Sequence, residues 1–101
     1  MAVEVRFRPL ARADLFNLYD YIARHSGRER AGAYIDRIEA ACMALADFPE
    51  RGTRREELGA GLRTIGFERR ATILFRVEPD GVDILRVLYG GRDLAAAIRE
   101  D

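Results

Sequence analysis

Lysine is absent from this chain of 101 residues, and cysteine and histidine occur once each. All 17 basic residues are therefore arginine. Arginine keeps its proton at any working pH, so it serves poorly as a general acid or base. With His25 as the only histidine, few groups are left for proton transfer near neutrality. The single Cys42 excludes an intramolecular disulfide. No apolar run approaches the length needed to span a membrane. Val3 to Phe7 alternates with charges and is too short for the apolar core of an export signal, so the expected compartment is the cytoplasm, with no membrane partner. The 17 acidic residues balance the arginines, and gross charge predicts no nucleic-acid partner.

What remains is a globular composition. Apolar residues make up 49% of the chain, enough for one modest core, and residues 1–101 are expected to form a single domain. Charge is placed unevenly. Arg51 to Arg76 carries seven arginines against Glu56, Glu57 and Glu68, while acidic residues dominate from Val77 onward.

Periodicity gives the element order. Val3, Val5 and Phe7 alternate with Glu4, Arg6 and Arg8, as in a half-buried strand that Pro9 ends. From Leu10 to Arg24, Ala11, Leu15, Leu18 and Ile22 share one helical face, with Tyr19 at its margin and Phe16 well off it. Ser26 and Glu29 fit a capping box opening a second helix. Its core stripe is Ala31, Tyr34, Ile35, Ile38, Ala41, Cys42 and Leu45, and Pro49 and Gly52 end it. Ala33, Ala40 and Ala44 form a second strip of small residues. Glu50 to Gly61 reads as a loop. Three strands follow, Leu62–Phe67, Ala71–Val77 and Val82–Tyr89, with a turn at Pro79-Asp80-Gly81. Asp93 is placed to cap a short final helix. Segregated helices and strands predict an α+β fold. Its N-terminal strand and antiparallel helical hairpin pack on a mainly antiparallel sheet, completed by a C-terminal three-stranded meander and a short C-terminal helix.

Several short stretches occur in a telling order: Ala13-Asp14-Leu15, Phe48-Pro49-Glu50-Arg51-Gly52, Gly61-Leu62-Arg63, Ile73-Leu74-Phe75-Arg76-Val77, and Ile84 through Asp93. None is specific alone. In this order and spacing the chain resembles the ParE/RelE toxins, and the ParE branch in particular, over nearly its whole length. The resemblance implies a toxin component of a type II toxin–antitoxin system that serves plasmid or chromosome stabilisation. It further implies neutralisation by a ParD-like antitoxin that lays an ordered segment along the toxin. ParE-like members poison DNA gyrase, and RelE-like members cut messenger RNA in the ribosome.

Cleavage of RNA through its 2′-hydroxyl needs a base, an acid and positive charge for the phosphate. The residues available for that role are Arg63, Arg76, Arg86 and Tyr89. The position where RelE-like chains often place a phosphate-binding arginine carries Thr72 here, and Tyr89 stands where ParE-like chains often carry histidine. A neutral tyrosine titrates near pH 10 and makes a weak base without help. His25 sits between the two helices, read as far from the sheet and exposed. The expectation is therefore action by protein binding rather than catalysis, with no metal, no cofactor and no sequence-specific nucleic-acid contact. Arg63, Arg86, Tyr89 and Arg92 are the candidate target-binding residues. Alternation puts Arg86 on one strand face with Ile84 and Leu88, and Tyr89 on the other with Leu85 and Val87. The plain structural reading of Arg86 is an ion pair that orders the fold. For the antitoxin, the candidates are Phe16, Tyr19, Met43, Ala40 and Ala44, whose plain reading is packing of the two helices on each other. A ribosome-dependent nuclease and a non-toxic antitoxin-binding module are the alternatives.

Overall fold

The computed structural model describes residues 4–90. The elements in chain order are β1 (Glu4–Phe7), α1 (Pro9–Ser26), α2 (Arg28–Met43), a 3-10 turn (Ala44–Ala46), β2 (Thr53–Arg54), β3 (Leu62–Phe67), β4 (Ala71–Glu78) and β5 (Gly81–Tyr89). They form a five-stranded sheet in the order β1-β5-β4-β3-β2, with the helical hairpin packed against it. The α+β architecture expected from the periodicities is the one observed. Arg92 and the final helix expected after Asp93 lie outside the described residues.

Pro9 occupies the first turn of α1, where its missing N–H costs nothing, and Arg8 before it is extended. The two helices are joined by one non-helical residue, Gly27, at φ 95°. Its N–H donates to the Ala23 carbonyl and its carbonyl accepts from the Ala31 N–H, so the same residue ends one helix and starts the next. The capping box expected at Ser26 and Glu29 is not used. Ser26 is the last residue of α1, and no side chain caps the start of α2. Glycine takes the φ this reversal requires at little cost, which makes a serine cap unnecessary.

Ala11 and Leu15 of α1, with Ile38, Cys42 and Leu45, pack against Ala71, Ile73, Phe75, Val82, Ile84 and Val87 of the sheet. Burial of each large side chain contributes on the order of 2 kcal/mol before ordering costs. Ile73, Leu74 and Phe75 are all fully buried, as their unbroken apolar run predicts for a central strand. Among the described residues, no helix is long and apolar enough to cross a membrane.

Three features go beyond the expected pattern. The stretch read as a loop contains β2, which pairs Thr53 with Thr64 and Arg54 with Arg63. β1 runs parallel to β5, from Glu4 opposite Gly81 to Phe7 opposite Ile84. Finally, β5 is bulged: Leu74 faces Arg86 but Phe75 faces Ile84, so Leu85 is an extra residue. The bulge resets the alternation. Val82 and Ile84 before it and Val87 and Tyr89 after it all pack toward the helices. Arg86 is thus separated from Ile84, with which simple alternation had grouped it, and Leu85 is no longer on Tyr89's face.

Candidate functional site

The arginines expected to meet a target or a phosphate are dispersed. Arg86 is only 3% exposed. Its Nε donates to one carboxylate oxygen of Asp14 at 2.8 Å and its Nη2 to the other at 2.9 Å. The same carboxylate accepts the Val87 N–H at 2.9 Å. β1 covers the outer edge of β5 only as far as Ile84, and Asp14 takes over where it stops. Arg86 therefore fastens α1 to β5 instead of presenting a surface cation. Arg63 donates to the carbonyls of Glu50 at 3.0 Å and Arg51 at 3.3 Å. Arg76 donates to the Ala60 carbonyl at 3.3 Å. Both stand at the far end of the meander from Tyr89. Along β4, the partner of Tyr89 is Ala71, while the partner of Arg63 is Phe75. That offset is about 13 Å at the rise of a strand, so these arginines and Tyr89 do not form one site. Thr72 lies between Gly66 and Leu88.

Tyr89 belongs instead to an aromatic cluster at the open end of the hairpin. α1 advances alongside the free end of β5, with Asp14 level with Arg86 and Val87, and Tyr21 beside Tyr89. The Tyr89 ring meets Tyr21 and Tyr34 edge to face, each at 6.1 Å between centroids. Tyr34 also meets Phe67 at 5.5 Å, and Tyr21 meets His25 at 4.2 Å. His25 is therefore not remote from the sheet as its sequence position implied. The 18 residues of α1 carry it past the end of β5. Its Nδ1 lies 2.7 Å from the Tyr21 carbonyl, which leaves Nε2 for other partners.

Around these rings is a cavity of about 430 Å³, lined by Tyr21, His25, Arg30, Tyr34, Arg37 and Tyr89, with Glu68 and Arg70 at the β3–β4 turn. Glu68 and Arg69 both adopt left-handed backbone conformations, at φ 49° and 61°. From that turn Glu68 accepts two hydrogen bonds from Arg37, at 2.8 and 3.1 Å, which hold its carboxyl below the usual carboxylate range. The Arg37 guanidinium also lies over the Tyr34 ring at 5.4 Å. Tyr89 lies close enough to Arg70 to raise the pKa of its guanidinium. Arg30 has no hydrogen bond or ion pair among the described residues. The Tyr34 hydroxyl is buried with no partner among them, and burial raises its pKa. No cluster of three or more metal-ligating side chains occurs among the described residues.

Sequence reading missed this pocket, although its parts follow helical spacing. Tyr21 and His25 are one turn apart on α1, and Arg30, Tyr34 and Arg37 line one stripe of α2. Tyr34 had been read as core only.

A second feature is the outer surface of the hairpin. Phe16 is 74% exposed, Met43 52% and Tyr19 36%. Ala33 and Ala40 are exposed and Ala44 is half-buried. The two helices do not use Phe16 or the small-residue strip to pack on each other.

Known proteins match this arrangement. The family model described as the ParE toxin of the type II toxin–antitoxin system parDE matches residues 5–94. Toxin ParE3 of Caulobacter vibrioides is 34% identical over 94 residues, covering 93% of this chain and 92% of that protein. Among solved structures, the chromosomal ParDE toxin–antitoxin system of P. aeruginosa superposes with a TM-score of 0.77 at 27% identity, covering 88% of this chain and 97% of the other. The RelBE2 toxin–antitoxin complex of Mycobacterium tuberculosis gives a TM-score of 0.58 at 28% identity, over 88% of this chain and 99% of the other. The family match spans the parallel β1, the helical hairpin and the whole meander that brings Tyr89 to its pocket. The chain belongs to the family of ParE toxins of type II toxin–antitoxin systems.

Proposed function

We propose that this toxin acts by binding DNA gyrase and favouring one state of it, and that a ParD-like antitoxin neutralises it in the cytoplasm. The observation that carries the reading is the dispersal of Arg63, Arg76, Arg86 and Tyr89. A nuclease built on those four would gather them at one phosphate, whereas Arg86 is locked to Asp14 and Arg63 and Arg76 hold loop carbonyls. A poison needs no catalytic group of its own, only a surface with differential affinity for a target state. In parallel assays of gyrase supercoiling and of translation with the purified protein, supercoiling is inhibited and messages stay intact. Message cleavage at the ribosomal A site with gyrase unaffected would reverse the assignment.

For the antitoxin, the exposed Phe16 and Tyr19 on α1 and Met43, Ala40 and Ala44 on α2 offer an apolar surface. The two structural relatives are described as a toxin–antitoxin system and a toxin–antitoxin complex, which supports such a partner. Phe16→Asp and Tyr19→Asp, made separately, weaken antitoxin binding while thermal stability changes little. Unchanged affinity with lost stability would place these residues in the fold's own support.

One observation favours RNA cleavage as the second reading. His25 and Tyr89 share a pocket with Arg30 and Arg70, which gives that corner a titratable group and cations. If messages are cut, His25→Ala and Tyr89→Phe separate this corner from the dispersed arginines.

A further inference from the structure

We propose that the pocket framed by Tyr21, Tyr34 and Tyr89 binds an unpaired nucleotide, with the phosphate at Arg30 and Arg70 and the base against the tyrosine rings. This goes beyond the gyrase reading and does not rest on it, because the pocket keeps its chemistry whatever the toxin's target.

Size is the first argument. About 430 Å³ falls in the range of small-molecule sites, roughly 300–1,000 Å³, and exceeds what a bare phosphate fills. Charge is the second. Arg30, Arg37 and Arg70 line the cavity against a single carboxylate, Glu68, which Arg37 already neutralises through two hydrogen bonds. The Arg30 guanidinium, with no partner among the described residues, and Arg70, which has no carboxylate partner among them, remain for an anion. The third argument is aromatic surface. Tyr21, 46% exposed, lines the cavity and offers a ring on which a base can stack, with the more buried Tyr34 and Tyr89 beside it. Finally, the buried Tyr34 hydroxyl at the cavity wall has no hydrogen-bond partner among the described residues, and an unmade bond there is costly. An acidic peptide would use the cations and leave the rings idle. A nucleotide uses both. Such contacts read backbone and ring rather than base sequence, so a chain of zero net charge can still make them locally.

The test uses the full chain labelled with ¹⁵N and titrated at low salt, in separate arms, with adenosine 5′-monophosphate, inorganic phosphate and a tetraglutamate peptide. The nucleotide is expected to bind saturably, moving the amide signals of Tyr21, Arg30, Tyr34 and Gly90, with phosphate at least about tenfold weaker. Arg30→Ala and Tyr21→Leu, both at exposed positions, each weaken nucleotide binding by about fivefold while their spectra remain those of the folded protein. Arg54→Ala, on β2 and away from the pocket, leaves affinity unchanged. Absence of saturable nucleotide binding overturns the proposal. So does phosphate or tetraglutamate binding as tightly as the nucleotide, or unchanged affinity in both pocket variants.

Discussion

Asp14 and Arg86, 72 positions apart in the chain, are joined inside the protein by two parallel hydrogen bonds between carboxylate and guanidinium. The same carboxylate takes the backbone N–H of Val87, so one side chain closes both the bulge and the edge of β5. Removing one member of a buried pair leaves the other charge in a medium that solvates it poorly. Asp14→Ala is therefore expected to cost about 3–5 kcal/mol, read from the midpoint of urea denaturation. The double change Asp14→Leu with Arg86→Met, which takes both charges out of the interior, costs less than Asp14→Ala alone. Equal or additive losses would mean the pair is not energetically coupled.

Gly52 is expected to tolerate no side chain. It sits at φ 78°, and a Cβ there would run into the carbonyl oxygen of Thr64 on β3. Gly52→Ala combines backbone strain with that collision, for a loss of at least about 1–3 kcal/mol. Hydrogen exchange in the variant speeds up first at Thr53 and Arg54, because β2 must move to make room. Unchanged protection at those two amides would contradict this account.

The Arg37–Glu68 clamp predicts a stability effect at acidic pH. Its hydrogen bonds lower the Glu68 pKa in the folded state below the ordinary 4.5. A depressed carboxyl pKa contributes stability that is present above the unfolded value and lost as pH falls through the folded one. Thermal melts of the wild type and Glu68→Gln should therefore differ at neutral pH and converge well below pH 4.5. The difference is small because both side chains are largely solvent-exposed. A gap that persists in acid would assign the effect to packing rather than to charge.

Cys42 offers a reporter of opening. It is fully buried in the core, and desolvation pushes its thiol up to about 12. The thiolate is the reactive form, so the folded protein resists thiol reagents at neutral pH. Labelling is expected to track global unfolding, with the rate rising in step with urea. Rapid labelling under native conditions would show that α2 detaches from the sheet on its own.

The strand–hairpin–meander plan was legible because helices and half-buried strands repeat at different intervals, and Leu15, Ile38 and Ile73 all fall where those intervals require. The misses have physical causes. β2 is two polar residues long, too short to show any period. The bulge at Leu85 is invisible because Ile84, Leu85, Val87 and Leu88 are apolar on both sides of Arg86, so a register step leaves no mark in the pattern. That hidden step changed which residues share a face with Arg86, and the ion pair read for it as the plain alternative has Asp14 as its partner. The pocket escaped for a different reason. Tyr21, Tyr34 and Tyr89 come from three elements, and their meeting depends on how far α1 reaches along β5, a distance fixed by tertiary packing.

The parallel pairing of β1 with β5 sets the order of assembly. Glu4 lies against Gly81, so the sheet's edge closes only between segments near opposite ends of the described chain. Contacts of such long sequence separation slow folding, because a large loop must be closed before any of them forms. During synthesis β1 leaves the ribosome long before its neighbour exists, and Asp14 waits as long for Arg86. Tyr89, at the last position of β5, reaches its pocket only after the meander is complete. The parallel edge, the buried Asp14–Arg86 pair and the ring cluster at Tyr89 therefore form only once all of β5 has left the ribosome.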